Sequence, residues 1–130
     1  MRRRVGSGVA AIVVVVLSAM VPQLARAQDW PSKPIKMIVP FPAGGGTDFI
    51  ARLLAQQLTA RLGKNVYVEN RGGANGAIGL QALKQADPDG YTVAVSPDTP
   101  IVVNPTLQPG LSYRPLEDFV PVTSLARFLA

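Results

Sequence analysis

The segment Ile38–Asp48, IVPFPAGGGTD, constrains this chain more tightly than any other stretch of it. An apolar run reaches Phe41, passes through Gly44, Gly45 and Gly46, and meets Thr47 and Asp48 where an amphipathic pattern begins. A strand that ends in a glycine turn and restarts as a helix leaves backbone N–H groups pointing outward. The first N–H groups of a helix have no partner within it, and its N-terminus carries partial positive charge. Such a corner is a candidate anion site.

The flanking pattern extends this corner into a fold class. Ile35, Met37 and Val39 alternate as in a short strand over Ile35 to Phe41, closed by Pro40 and Pro42. From Thr47 or Asp48 as N-cap, apolar residues at Ile50, Leu53, Leu54, Leu58 and Leu62 follow a 3.6-residue period, and Gly63 stands in the usual C-terminal position. Val66–Glu69 predicts a second strand. Asn70–Gly79 is a glycine-rich loop leading into a helix with an apolar face of Ile78, Ala82, Leu83 and Ala86. Asp87-Pro88-Asp89-Gly90 is a turn signal before a third strand, Tyr91–Val95. Strand, helix, strand, helix, strand in that order predicts an α/β fold with a parallel sheet and right-handed crossovers. Beyond Ser96 repeated prolines break the pattern, although Ile101–Asn104 suits the start of a short helix and Phe119–Leu125 a fourth strand.

Charge must be read after the first 27 residues are set aside. Arg2, Arg3 and Arg4 precede an apolar run, Val9–Val21, and Ala25-Arg26-Ala27 supplies small residues at the two positions a signal peptidase reads. Because the run is shorter than the roughly 20 residues of a membrane-spanning helix, this is the pattern of a secretory signal cleaved after Ala27, with an uncleaved anchor as the competing account. The whole chain carries a net charge of +5. Four of its 13 basic residues fall in the signal, leaving nine against eight acids, or +1, in residues 28–130. The basic character belongs to export, and a nucleic-acid partner loses its main support. With no cysteine and no histidine, disulfides, thiol nucleophiles, Ser-His-Asp triads and Cys or His metal sites are excluded within this chain. No cofactor and no catalytic residue is expected.

Three loops should meet beyond the carboxyl ends of the strands, where α/β sheets bind ligands. The first offers the amides of Gly44, Gly45, Gly46 and Thr47, together with Asp48. A plain tight turn needing positive φ is the competing account of the glycines, and simple helix capping that of Asp48, favourable by about 0.3–1 kcal/mol. Asp48 would repel a pyrophosphate, whereas a carboxylate is small enough to sit on the glycine amides beside it. The second loop offers Asn75 and Arg71, with pairing of Arg71 to Glu69 as the alternative. The third offers Ser96 and Thr99, whose competing role is turn chemistry. A dinucleotide site is a further alternative: Gly44 and Gly46 match its first two glycines and Glu69 its ribose acid, but Phe49 occupies the third glycine position.

Taken in order, WPSKPIKMIVPFPAGGGTD, ARLLAQQL, LGKNVYVENRGGANGAIG, ADPDGY, NPTL and YRPLEDFVPV closely resemble the Bug family. These are the periplasmic solute receptors, also called TctC, of tripartite tricarboxylate transporters. The resemblance runs from about Trp30 to Leu125. It implies one lobe of a type II periplasmic binding protein, a small organic carboxylate as ligand, and delivery to membrane permease subunits. It further implies ligand contact by Phe41, Ala43, Gly44 and Gly45, partly through bridging waters, and a cleft-facing loop at Ser96–Thr99. Here that loop reads SPDTP, where relatives more often carry small residues. The expected organisation is a signal peptide over 1–27 and an N-terminal lobe over 28–130, stopping near the crossover to a second lobe and acting as a monomer.

Overall fold

The computed structural model describes residues 29–126. The expected signal peptide and its cleavage position lie outside the described residues. Strand β1 (Ile35–Val39) is the middle of a three-stranded sheet, with β2 (Val66–Asn70) on one side and β3 (Thr92–Ala94) on the other. Both neighbours run parallel to β1, Ile35 opposite Val66 and Val39 opposite Asn70, Met37 opposite Val93. Parallel neighbours require crossovers, which here are the helices α1 (Gly46–Leu62) and α2 (Ala77–Lys84).

A central parallel strand is covered on both faces and therefore reads as a nearly continuous apolar run. IKMIV does so, with Ile35, Met37, Ile38 and Val39 all buried. On the face of Ile35, Met37 and Val39 lies α1, contributing Ala51 and Ala55 to the core, with Leu54, Leu58 and Leu62 partly buried beside them. Leu53, expected on this face, is exposed. The small side chains of Ala51 and Ala55 let the helix approach the sheet closely, and the seam runs through them instead. Helix α1 ends as expected on Gly63, left-handed at φ 65°, whose N–H donates to Thr59 O at 3.1 Å.

Side chains alternate across a strand, so Ile38 and Pro40 face the other side, where α2 packs. Its buried residues are Gly79 and Leu80, and Ile78 is half exposed. The expected face of Ile78, Ala82, Leu83 and Ala86 is thus rotated. The cause is Gly79: a Cβ there would stand 2.6 Å from Pro40 Cα and 2.9 Å from Arg71 O, so the helix touches the sheet edge backbone to backbone.

After β3 the chain forms one π-helical turn, Thr99–Val103, and the short helices α3 (Asn104–Leu107) and α4 (Pro115–Asp118). The fourth strand expected over Phe119–Leu125 is absent from the described residues: this stretch has no ladder, and Val120 and Val122 are exposed. Pro121 withholds one ladder N–H, and no described strand runs beside it. Among the described residues no helix is long and apolar enough to cross a membrane.

Candidate functional site

The site begins where β1 ends. Arg71 N donates to Val39 O at 2.8 Å and Val95 N to Ile38 O at 2.9 Å, so the chain leaves all three strands at one edge. The loops that follow touch one another. A Cβ on Gly72 would lie 3.1 Å from the Pro42 ring, and one on Gly76 would lie 3.0 Å from the Pro100 ring and 3.3 Å from the Phe41 ring. Phe41 from the first loop, Gly76 from the second and Pro100 from the third thus form one packed corner.

Within the first loop only Gly44 needs to be glycine for conformational reasons, with φ at +87°. Gly45 is the N-cap of α1 in ordinary extended geometry, φ −81° and ψ 170°, and Gly46 opens the helix. The expected N-cap, Thr47 or Asp48, is therefore displaced by two or three residues. Asp48 sits at the third helical position and reaches back, in the manner of a capping box shifted by one residue. Its Oδ2 accepts the Gly44 N–H at 2.8 Å and Arg52 Nε at 2.9 Å, and its Oδ1 accepts Asn70 Nδ2 at 2.9 Å. The same Asn70 amide donates to Phe41 O at 3.1 Å, while Arg52 Nη2 donates to Asn70 Oδ1 at 3.1 Å. Asp48 is 4% exposed. The Arg52 guanidinium, the Gly44 N–H and the Asn70 amide together hold its carboxyl at about 2, below the ordinary 3.8.

Asp48, expected among the ligand contacts, has both oxygens engaged within the protein, Oδ2 by Gly44 of the loop and Arg52 of α1 and Oδ1 by Asn70 of β2. Gly44 N–H is spent on Asp48 in turn. Gly45, Gly46 and Thr47 differ, since their N–H groups find no acceptor among the described residues. Ala43 and the three glycines are exposed, and Thr47 and Phe41 are half-buried. With the Asp48 N–H beyond them, the edge thus presents four consecutive unpartnered amides at the start of a 17-residue helix, of which only the last belongs to a buried residue. Asn70 and Arg52 were not singled out in the sequence. Arg52 stands four residues after Asp48 on one helix face, and Asn70 ends the strand beside β1, which are the signals that could have found them.

The other two loops are more internally occupied. Asn75 is exposed in the left-handed region, φ 51°, and its carbonyl accepts Asn104 Nδ2 at 3.0 Å. Arg71 pairs with Glu69, which also lies 3.5 Å from Lys36 Nζ. That pairing holds the Glu69 carboxyl below its usual range, Arg71 being the larger influence, and occupies the acid a ribose would need. Ser96 Oγ donates to Pro97 O at 2.9 Å, keeping its lone pairs but not its proton free. Thr99 opens the π-helical turn, its carbonyl accepting Asn104 N. Tyr113 hydroxyl anchors Pro100 O from beneath, and burial pushes that phenol up.

Two concavities, one lined by Trp30, Pro31, Leu62 and Lys64 and one by Arg52, Gln56, Thr59 and Tyr67, lie off the glycine corner. The corner is an open edge. No group of three or more acidic residues able to hold a metal ion occurs among the described residues.

Comparison with known proteins gives a consistent picture. Residues 50–129 match the family described as tripartite tricarboxylate transporter family receptor. Protein BugT of Bordetella pertussis is 44% identical over 115 residues, covering 88% of this chain and 35% of BugT. A UPF0065 protein from the TAR-I ttuE-ttuC' intergenic region of Agrobacterium vitis is 40% identical over 125 residues, 89% of this chain and 36% of the relative. Among solved structures, one described as a periplasmic transporter shares 49% identity at a TM-score of 0.70, covering 72% of this chain and 32% of that one. MatC of Rhodopseudomonas palustris, solved with bound malate, shares 36% identity at a TM-score of 0.68 with the same coverage. The chain spans about a third of the length of these relatives.

Proposed function

Because this chain belongs to the tripartite tricarboxylate transporter receptor family, we propose that its glycine corner captures the carboxylate of a small organic acid in the periplasm, for delivery to membrane permease subunits. The family is one of receptors rather than enzymes. The amides of Gly45, Gly46 and Thr47 grip the carboxylate. Phe41, Ala43 and Gly44 shape the surface against it, and Asn75, Ser96 and Thr99 flank it from the second and third loops. Asp48 keeps the corner in shape from below.

One observation carries this reading. Gly45 and Gly46 have ordinary backbone geometry, and a Cβ on either would meet nothing closer than 3.7 Å. The N-cap position accounts in part for Gly45, but neither turn geometry nor packing nor capping explains Gly46. Close approach by a ligand to exposed amides does. MatC, similar over 72% of this chain, holds malate. Three hydrogen bonds to an ionised acceptor contribute roughly 1.5–3 kcal/mol each before ordering costs. That falls near or below the roughly 8 kcal/mol of micromolar affinity once costs are subtracted, so an open edge alone should bind weakly.

A thermal-shift screen of di- and tricarboxylates beside NAD tests the reading. Carboxylates that bind should raise the midpoint, by an amount that grows with the logarithm of their concentration above Kd, and NAD should leave it unchanged. A shift with NAD and none with any carboxylate would return the glycines to the nucleotide account. Sequencing the N-terminus of the protein recovered from the periplasm should find Gln28 first.

A further inference from the structure

Beyond the amides that face outward, the corner contains a closed circuit of polar groups beneath them. Asp48, Arg52 and Asn70 come from two elements and converge on the first loop. The Asp48 carboxylate holds Gly44 N–H, and the Asn70 amide holds Phe41 O while bonding to Asp48. The two bonds pin the loop at both ends, Phe41 and Gly44, with Pro42 and Ala43 between. Arg52 closes the circuit by touching both Asp48 and Asn70. No buried side-chain polar atom among the described residues lacks a partner, so this circuit is complete without any ligand.

We propose that Asp48 and Asn70 are positioning residues that preset the carboxylate-binding amides, so that the loop holds its binding shape before the ligand arrives. The inference rests on the carboxylate reading of the corner. Its physical basis is that a flexible glycine-rich loop must otherwise be ordered at the moment of binding, and prior ordering raises affinity by removing that cost. Asp48 is also an anion placed directly under an anion site. If it were a bystander, removing its charge would strengthen or leave unchanged the capture of a carboxylate. If it positions the loop, removing its charge weakens capture in spite of the relieved repulsion. The sign of the effect separates the two roles.

The test is an amide-resolved NMR titration of the 15N-labelled protein with malate, on the wild type and on Asp48→Asn and Asn70→Ala, each first checked for a cooperative unfolding transition. In the wild type, malate should move the Gly45, Gly46 and Thr47 resonances, and the Gly44 amide should lie downfield as a donor to a carboxylate. In either variant the Gly44 or Phe41–Ala43 resonances should change in the free protein, and malate affinity should fall by about tenfold or more. Asn70→Ala leaves every charge in place, and serves alone should Asp48→Asn fail to fold. Equal or tighter malate binding by a folded variant overturns the positioning role. Malate leaving Gly45–Thr47 unmoved in the wild type overturns the site itself instead. In that event the positioning role falls with it unless Gly44 and Phe41–Ala43 still lose their free-state positions in the variants, which would keep the preset loop and discard only its ligand.

Discussion

Two glycine-rich loops flank the same sheet edge, and they use glycine for opposite reasons. In the second loop, Gly73 and Gly76 lie at positive φ, and Gly79 leaves no room for a Cβ against Pro40 and Arg71. Each is accounted for by backbone shape or by packing. In the first loop only Gly44 has such an account, while Gly45 and Gly46 face open space in ordinary geometry. The lesson is that a count of glycines does not mark a binding site. What marks one is glycine left over after conformation and packing have taken theirs.

The largest expected effect breaks the second loop. Gly79→Ala drives a methyl against backbone atoms at 2.6 and 2.9 Å, which cannot swing aside as a flexible side chain would. Overpacking of this kind costs about 1–3 kcal/mol, and rigid neighbours favour the upper end. Chemical denaturation should show the midpoint falling with the slope unchanged. An unchanged midpoint would mean that α2 does not press on Pro40 and that the second loop's glycines need another account.

The contrasting substitution is Gly45→Val. Extended geometry at Gly45 suits a β-branched residue, and the nearest atom to its Cβ is Pro42 O at 3.7 Å. Stability should fall by no more than about 1 kcal/mol, the cost of an apolar side chain at an N-cap that glycine fills. Affinity for malate, followed by amide shifts or calorimetry, should fall by about tenfold, or 1.4 kcal/mol. The opposite pattern, stability lost with affinity kept, would make the first loop a turn like the second.

Much of this architecture was legible beforehand. The order of elements, the parallel sheet and the Gly63 stop follow from local periodicity and turn chemistry, which act within a few residues. The face of α2 was not legible, because Gly79 carries no side chain for a hydrophobic pattern to register. Nor was the missing strand at Phe119–Leu125, whose apolar alternation is real but which finds no described strand beside it. In the site, the glycine corner could be found from spacing alone. The task of Asp48 could not, since it depends on Asn70, 22 residues away, meeting it across the sheet edge.

The smallest expected effect sharpens the comparison through pH. The first loop is held by a charge and the second by sterics, so acid should loosen them in order. The Asp48 carboxyl is held at about 2, chiefly by Arg52 and then by Gly44 and Asn70, below the ordinary 3.8. A depressed folded value means that its stabilisation is complete above about pH 4 and is lost as pH falls toward 2. Glu69, Asp89 and Asp118 are also lowered, by Arg71, Lys33 and Lys84, and add to the same acid limb. None of the three holds a loop glycine, however, whereas Asp48 holds Gly44. Between pH 4 and pH 2 the Gly44 amide should therefore lose exchange protection before Gly76, whose bond to Gly73 O at 2.9 Å involves no titrating group. In Asp48→Asn that early step should vanish. If Gly44 and Gly76 instead open together in the wild type, the two loops form one cooperative unit, and the separation between a charge-held corner and a packed one does not exist.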